Sequence, residues 1–171
     1  MSLAPPTITG CFAFNHSMLH VKDPKILLDF HTRVLDMRVL RELDLAGLKF
    51  SLYFLKVGSS AKSAPADAGE RNASMFAQTG ILDLTHNWVT KDDADFKYHS
   101  DNAQPQGFGQ ICFSVPDPTA AVAWFDLNEV AFIKQPEQGK MKDVAFIQDP
   151  DGYWIEIVGA DRMKKLDMPV S

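Results

Sequence analysis

The feature that most constrains this fold is that the chain repeats itself. His16-Ser-Met-Leu-His-Val-Lys-Asp-Pro24 aligns with Gln110-Ile-Cys-Phe-Ser-Val-Pro-Asp-Pro118, an offset of 94. Val21, Asp23 and Pro24 thereby match Val115, Asp117 and Pro118. Further on, Leu82-Asp83-Leu84 aligns with Ile155-Glu156-Ile157 at an offset of 73, smaller by 21. The Gly-, Ser- and Ala-rich stretch 58–78 is 21 residues long and absorbs that difference. A repeat on this scale restricts architecture before any single residue is interpreted.

Local pattern gives each half the same order of elements. Residues 15–21 read as a strand, and Asp23-Pro24 supplies a cap and a first-turn proline for a helix over 24–35, where Ile26, Leu27, Phe30 and Val34 recur at helical spacing. Strands follow at 39–43, 49–56 and 80–88, with 58–78 read as a loop or insertion. After a polar loop at 91–106, the pattern resumes: a strand over 107–115, then Asp117-Pro118 and the apolar Ala121, Trp124 and Phe125 of a second helix. Strands at 131–134, 144–148 and 153–158 complete it, the last two joined by the turn Asp149-Pro150-Asp151-Gly152. The expected fold is α+β: two βαβββ modules, 14–88 with its insertion at 58–78 and 107–158, forming one domain over 14–158. Residues 1–13 and 159–171 are expected to be peripheral tails.

Composition narrows the function classes. Hydrophobic residues make up 46% of 171, enough for a packed core. The formal net charge of −5 argues against a nucleic-acid binder, which needs a clustered basic surface. No run approaches ~18 apolar residues, so no membrane span is expected. Met1 to Gly10 has neither a basic nor an apolar signal region, so a cytoplasmic location is expected. The sequons at Asn15 and Asn72 then read as chance matches. Two cysteines, Cys11 and Cys112, exclude a disulfide framework and a Cys-rich zinc site.

The repeat also pairs four polar side chains. His16 corresponds to Gln110, and Asp83 to Glu156. Each carboxylate stands between apolar neighbours on a strand, so it points to the opposite face from them. A single such carboxylate most simply faces water on an open sheet. Four nitrogen and oxygen donors at equivalent positions favour one divalent ion, with two carboxylates to balance its charge. His86, His31 and His99 are read as structural or surface residues. No nucleophile-elbow context surrounds a serine.

The chain resembles glyoxalase I (lactoylglutathione lyase), of the vicinal oxygen chelate superfamily, from about Phe14 to Val158. The resemblance lies in Met18-Leu19, Val21-Lys22-Asp23-Pro24, Leu28-Asp29-Phe30, Thr32-Arg33-Val34-Leu35, Phe50 to Leu55, Leu84 to Trp88, Gly107-Phe108-Gly109, Gly139 to Lys142 and, most strongly, Ala145 to Ile157. It implies a cupped mixed sheet around one divalent metal, zinc or nickel, in a homodimer. It implies isomerisation of the methylglyoxal–glutathione hemithioacetal to S-lactoylglutathione through an enediolate. A divalent cation that holds the developing oxyanion makes such a deprotonation feasible near neutrality.

Carried over residue by residue, the resemblance makes Glu156 the base and a metal ligand, with His16, Asp83 and Gln110 as the other ligands. Asp83 stands where the family has Glu. His16 and Gln110 exchange the eukaryotic order of Gln first and His third. Substrate-binding positions fall on His20, Asn87, Gln106, Lys134, Lys140 and Met141. His20 and Gln106 replace two arginines that hold glutathione carboxylates, which implies weaker glutathione binding or another thiol adduct. Phe50 and Phe54 are pocket wall or core. The alternative reading is a catalytically degenerate paralogue that binds a small molecule in the same cleft. A dioxygenase site is disfavoured because Gln110 takes the second histidine position.

Overall fold

The computed structural model describes residues 12–58, 64–100, 102–139 and 141–165. In chain order the elements are β1 (His16–Val21), α1 (Pro24–Asp29), β2 (Met37–Leu45), β3 (Phe50–Val57), α2 (Ala68–Phe76) and β4 (Ile81–Asn87). Then come β5 (Gln110–Ser114), α3 (Pro118–Leu127), β6 (Phe132–Lys134), β7 (Val144–Gln148) and β8 (Trp154–Val158). The chain divides into two compact units. One runs to Pro24 and from His31 to Phe96; the other comprises Lys25–Phe30 and the chain from Lys97 onward.

Each unit carries a four-stranded mixed sheet, ordered β1-β4-β3-β2 in the first and β5-β8-β7-β6 in the second. The first strand pairs parallel with the last (β1 with β4, β5 with β8), and the remaining pairs are antiparallel. The two βαβββ modules thus share one topology. A bulge interrupts β2 between Val39 and Arg41.

In the first sheet, β4 lies between β1 and β3 and is buried from Ile81 to His86. One face packs Leu19, Val21, Tyr53, Leu55, Leu82 and Leu84, all buried. The other face carries a second cluster of Phe54, Met75 and Ile81, with Leu40, Leu43 and Leu52 packed against it. In the second sheet, Ala145, Ile147, Ile155 and Ile157 are each at most 1% exposed. Burying one such aliphatic side chain contributes roughly 1.5–3 kcal/mol.

Local chemistry sets the ends. Asp117 Oδ1 accepts the N–H groups of Thr119 at 2.9 Å and Ala120 at 3.1 Å, and Pro118 opens α3. A Cβ on Gly159 would come within 2.6 Å of Pro118 Cγ, so only glycine lets the chain pass there. Gly152, at φ +96°, closes the turn between β7 and β8.

Two expectations need correction. The segment 58–78 is not all loop: it contains α2, whose Met75 is 1% exposed and belongs to the Phe54 cluster. The helix expected over 24–35 is α-helical only to Asp29 and continues as a wider π-type turn over Phe30–Val34. The segment after Gly159 is tied down at its start. Arg162 Nη1 bonds Asp143 Oδ1 at 3.2 Å, and Nη2 donates to Thr119 Oγ1 at 2.8 Å. Among the described residues no helix is long and apolar enough to cross a membrane.

Candidate functional site

Register places the chemically interesting side chains in one row per module. In the first sheet, Met18 pairs with Asp83, Asp83 with Phe54, and Phe54 with Arg41. In the second, Cys112 pairs with Glu156, Glu156 with Phe146, and Phe146 with Lys134. Cross-strand partners share a sheet face. Each row therefore runs sulfur side chain, carboxylate, phenylalanine, cation, and the sequence repeat reappears as a structural one. His16 stands two residues before Met18 on β1, as Gln110 stands two before Cys112 on β5.

In the first donor pair the carboxylate is buried and the imidazole half-buried. Asp83 is 5% exposed and accepts a hydrogen bond from Thr85 Oγ1 at 3.4 Å. Burial pushes its carboxyl above the ordinary carboxylate range, opposed by His16, the Thr85 hydroxyl and His20. The His16 ring meets Phe54 edge-on at 5.7 Å and 89°, and Phe76 at 6.3 Å and 61°. Its Nδ1 lies 2.7 Å from Asn15 Oδ1.

The second pair is open. Gln110 is exposed and Glu156 half-buried, and Gln110 Nε2 donates to Glu156 Oε2 at 3.3 Å. Desolvation and the adjoining Glu156 carboxylate push the Cys112 thiol up to about 11, so near neutral pH it is a neutral S–H donor.

The remaining expected site residues are scattered over several elements. In the first unit, His20 Nδ1 lies 3.4 Å from Asn87 Nδ2. Phe54, 3% exposed, serves the core cluster and walls His16 at once. In the second unit, Gln106 and Met141 are exposed. Lys134 Nζ donates to the carbonyls of Val144 at 2.5 Å, Met141 at 2.8 Å and Gln135 at 3.3 Å, which ties down the segment before β7. Lys140 lies outside the described residues. His86 Nδ1 sits 3.3 Å from the Val21 carbonyl, His31 is fully buried, and His99 Nε2 lies 3.1 Å from the Pro105 carbonyl.

Among the described residues, no cluster of three or more His, Cys, Asp or Glu side chains is placed to hold a metal ion. The donors come as two pairs, His16 with Asp83 and Gln110 with Glu156. Sequence reasoning missed Asn15, Phe76, Thr85 and Cys112. Cys112 left only an indirect signal: the repeat aligns it with Met18, and strand register sets it opposite Glu156. Asn15 had none, because the three carbonyls that orient its amide lie 60 or more residues away.

Comparison with known proteins identifies the family. The model of a family described as the Glyoxalase/Bleomycin resistance protein/Dioxygenase superfamily matches residues 13–157. A lactoylglutathione lyase of Pseudomonas aeruginosa is 51% identical over 158 residues, covering 92% of this chain and 88% of that protein. A glyoxalase I of Saccharomyces cerevisiae is 38% identical over 148 residues, covering 85% of this chain and 42% of the yeast protein. The solved structure of the trypanothione-dependent glyoxalase I of Leishmania major superposes with a TM-score of 0.67 at 27% identity, covering 91% of each chain.

Proposed function

The chain belongs to the glyoxalase/bleomycin resistance protein/dioxygenase superfamily, and from that membership we propose that it is a lactoylglutathione lyase. It isomerises the methylglyoxal–glutathione hemithioacetal to S-lactoylglutathione, which is methylglyoxal detoxification. The observation that carries this is the 51% identity to a lactoylglutathione lyase over 92% of the chain. The paired carboxylate rows support it. The binding-only alternative has no observation in its favour.

The donor chemistry fits one divalent ion, zinc or nickel: an imidazole and a carboxylate from the first pair, an amide oxygen and a carboxylate from the second. His16, Asp83, Gln110 and Glu156 would hold it. When bound, such an ion supplies Lewis-acid polarisation of the substrate oxygens. Glu156 is the base: its half-buried carboxylate takes the proton from one substrate carbon and returns it to the neighbouring one. The Gln110 amide on Oε2 steadies that carboxylate. Asp83, buried and held by Thr85, serves as a stationary ligand.

His20, Asn87, Gln106, Lys134, Lys140 and Met141 are proposed to contact the thiol adduct. Glutathione itself is bound more weakly than by a site with two arginines, because neither His20 nor Gln106 forms a fixed bidentate pair with a carboxylate. The same reading assigns a homodimer, which sedimentation checks, and a cytoplasmic site of action, where glutathione is kept reduced.

The test is thioester formation from methylglyoxal hemithioacetals of glutathione and of other thiols, with zinc or nickel present. Turnover of the glutathione adduct is expected. Failure with every thiol and both metals sinks the reading, and turnover confined to another thiol moves the substrate.

A further inference from the structure

We propose that Asn15 is a positioning residue: it fixes the tautomer and orientation of His16 and ties both to the C-terminal end of α2. Asn15 Nδ2 faces three backbone carbonyl oxygens, those of Gln78 at 2.7 Å, Met75 at 3.2 Å and Phe76 at 3.2 Å. A carbonyl oxygen only accepts, so the group that faces them must be the amide NH2. The amide oxygen is thereby turned to His16, with Oδ1 2.7 Å from Nδ1. That oxygen also only accepts, so the imidazole proton sits on Nδ1 and the lone pair is left on Nε2. A neutral imidazole with a free Nε2 lone pair is what a metal ligand requires.

The same side chain anchors the insertion. Helix α2 ends at Phe76, and the two N–H groups of the Asn15 amide are shared among the oxygens of Met75 and Phe76 in its last turn and of Gln78 just past it. Phe76, the last residue of α2, meets both His16 and Phe54 edge-on, at 6.3 and 5.9 Å. The Asn15 carbonyl accepts the Ile81 N–H at 3.1 Å, which registers β1 on β4. Asn15 thus holds the ring from one side while the helix it caps walls the ring from another.

This inference rests on the reading of His16 as a metal ligand, so its test has two readouts. The first is the 15N spectrum of the His16 ring in metal-free full-length protein, which should show Nδ1 protonated and Nε2 bare. The second is zinc affinity measured against a competing chelator.

Asn15→Leu should mix the tautomers and weaken zinc binding by roughly 10–100-fold, the usual range for loss of an outer-sphere partner. Asn15→Asp keeps an acceptor for Nδ1–H and should keep that tautomer, while its second oxygen, facing the carbonyls of Met75, Phe76 and Gln78 with no proton to give, should loosen the end of α2. Should the leucine variant not fold, loss of the Nδ1-protonated tautomer in Asn15→Asp overturns the inference. Asp67→Ala removes the cap at the far end of α2, where Asp67 Oδ1 accepts the Glu70 N–H at 2.9 Å. It should loosen the helix while leaving His16 tautomer and zinc affinity as in the wild type.

Wild-type tautomer and affinity in Asn15→Leu overturn the inference. So does an Asp67→Ala protein that reproduces the leucine phenotype, since Asn15 would then act only through helix stability. Wild-type protein that binds no zinc sinks the ligand reading, and the tautomer measurement still decides on Asn15.

Discussion

The two donor pairs stand at equivalent strand positions and live in different surroundings. Asp83 is 5% exposed and His16 is boxed by Phe54 and Phe76, whereas Gln110 is exposed and Glu156 half-buried. The difference traces to how each module joins its last two strands. The first spans from β3 to β4 with a long segment holding α2, whose Met75 packs on Phe54 and Ile81. The second spans from β7 to β8 with the tight turn at Asp149-Pro150-Asp151-Gly152. A repeat decides where a side chain stands; the connection decides what surrounds it. Under the proposed reaction the buried Asp83 and half-buried His16 would bind the ion, and the more open Glu156 would move protons.

That contrast can be broken most forcefully at Glu156. Glu156→Gln should lower kcat by about 10²–10⁴-fold, the usual contribution of a general base, and leave unfolding free energy within ~0.5 kcal/mol. A kcat within threefold of wild type would remove Glu156 from the mechanism. Making the second pair resemble the first gives the next largest effect. Gln110→His should tighten zinc binding by about tenfold or more, because imidazole is a better ligand than an amide oxygen. Unchanged affinity would mean that position 110 does not bind metal.

The connections themselves differ in pH response. Asp149 is 4% exposed; its Oδ1 accepts the N–H groups of Asp151 at 3.0 Å and Tyr153 at 2.9 Å, while Oδ2 is buried without a partner among the described residues. Burial raises its carboxyl from 3.8 to about 7. Between these values the folded state keeps a proton that the unfolded state has released, so stability falls as pH rises and levels off above the folded value. The slope is at most about 1.4 kcal/mol per pH unit from this one group. Asp149→Asn should flatten that part of the profile, seen as a smaller difference in urea midpoint between mildly acidic and neutral buffer. An unchanged profile would show that Asp149 is not the group responsible.

The smallest effect compares the carboxylates directly. Asp83→Asn should stabilise metal-free protein at neutral pH by about 1 kcal/mol, since it removes a charge that burial disfavours. Glu156→Gln should give no such gain. Equal effects would mean that the two environments do not differ in energy.

Much of this was legible from residue order. The repeat located both sheets, and the polar positions flanked by Leu82 and Leu84 and by Ile155 and Ile157 mark the two rows. Helix α2 escaped because Gly, Ser and Ala dominate 58–78, and because its stability comes from Met75 docking on a distant sheet rather than from its own propensity. A start signal was present: Asp67, with Glu70 three residues on, is a cap pattern. The π-type turn at Phe30–Val34 leaves no such trace. Neither does the engagement of Lys134 by three carbonyls, which depends on how the segment before β7 folds back.

We propose above that the two pairs serve one metal-dependent reaction. The most direct test is the rate of S-lactoylglutathione formation by metal-stripped protein as zinc or nickel is added back, in the wild type and in Asp83→Asn and Glu156→Gln. A saturable rise is expected in the wild type, and either substitution should lower it by about 10²-fold or more. Turnover that ignores added metal, or that stays within threefold of wild type after the loss of either carboxylate, would contradict it.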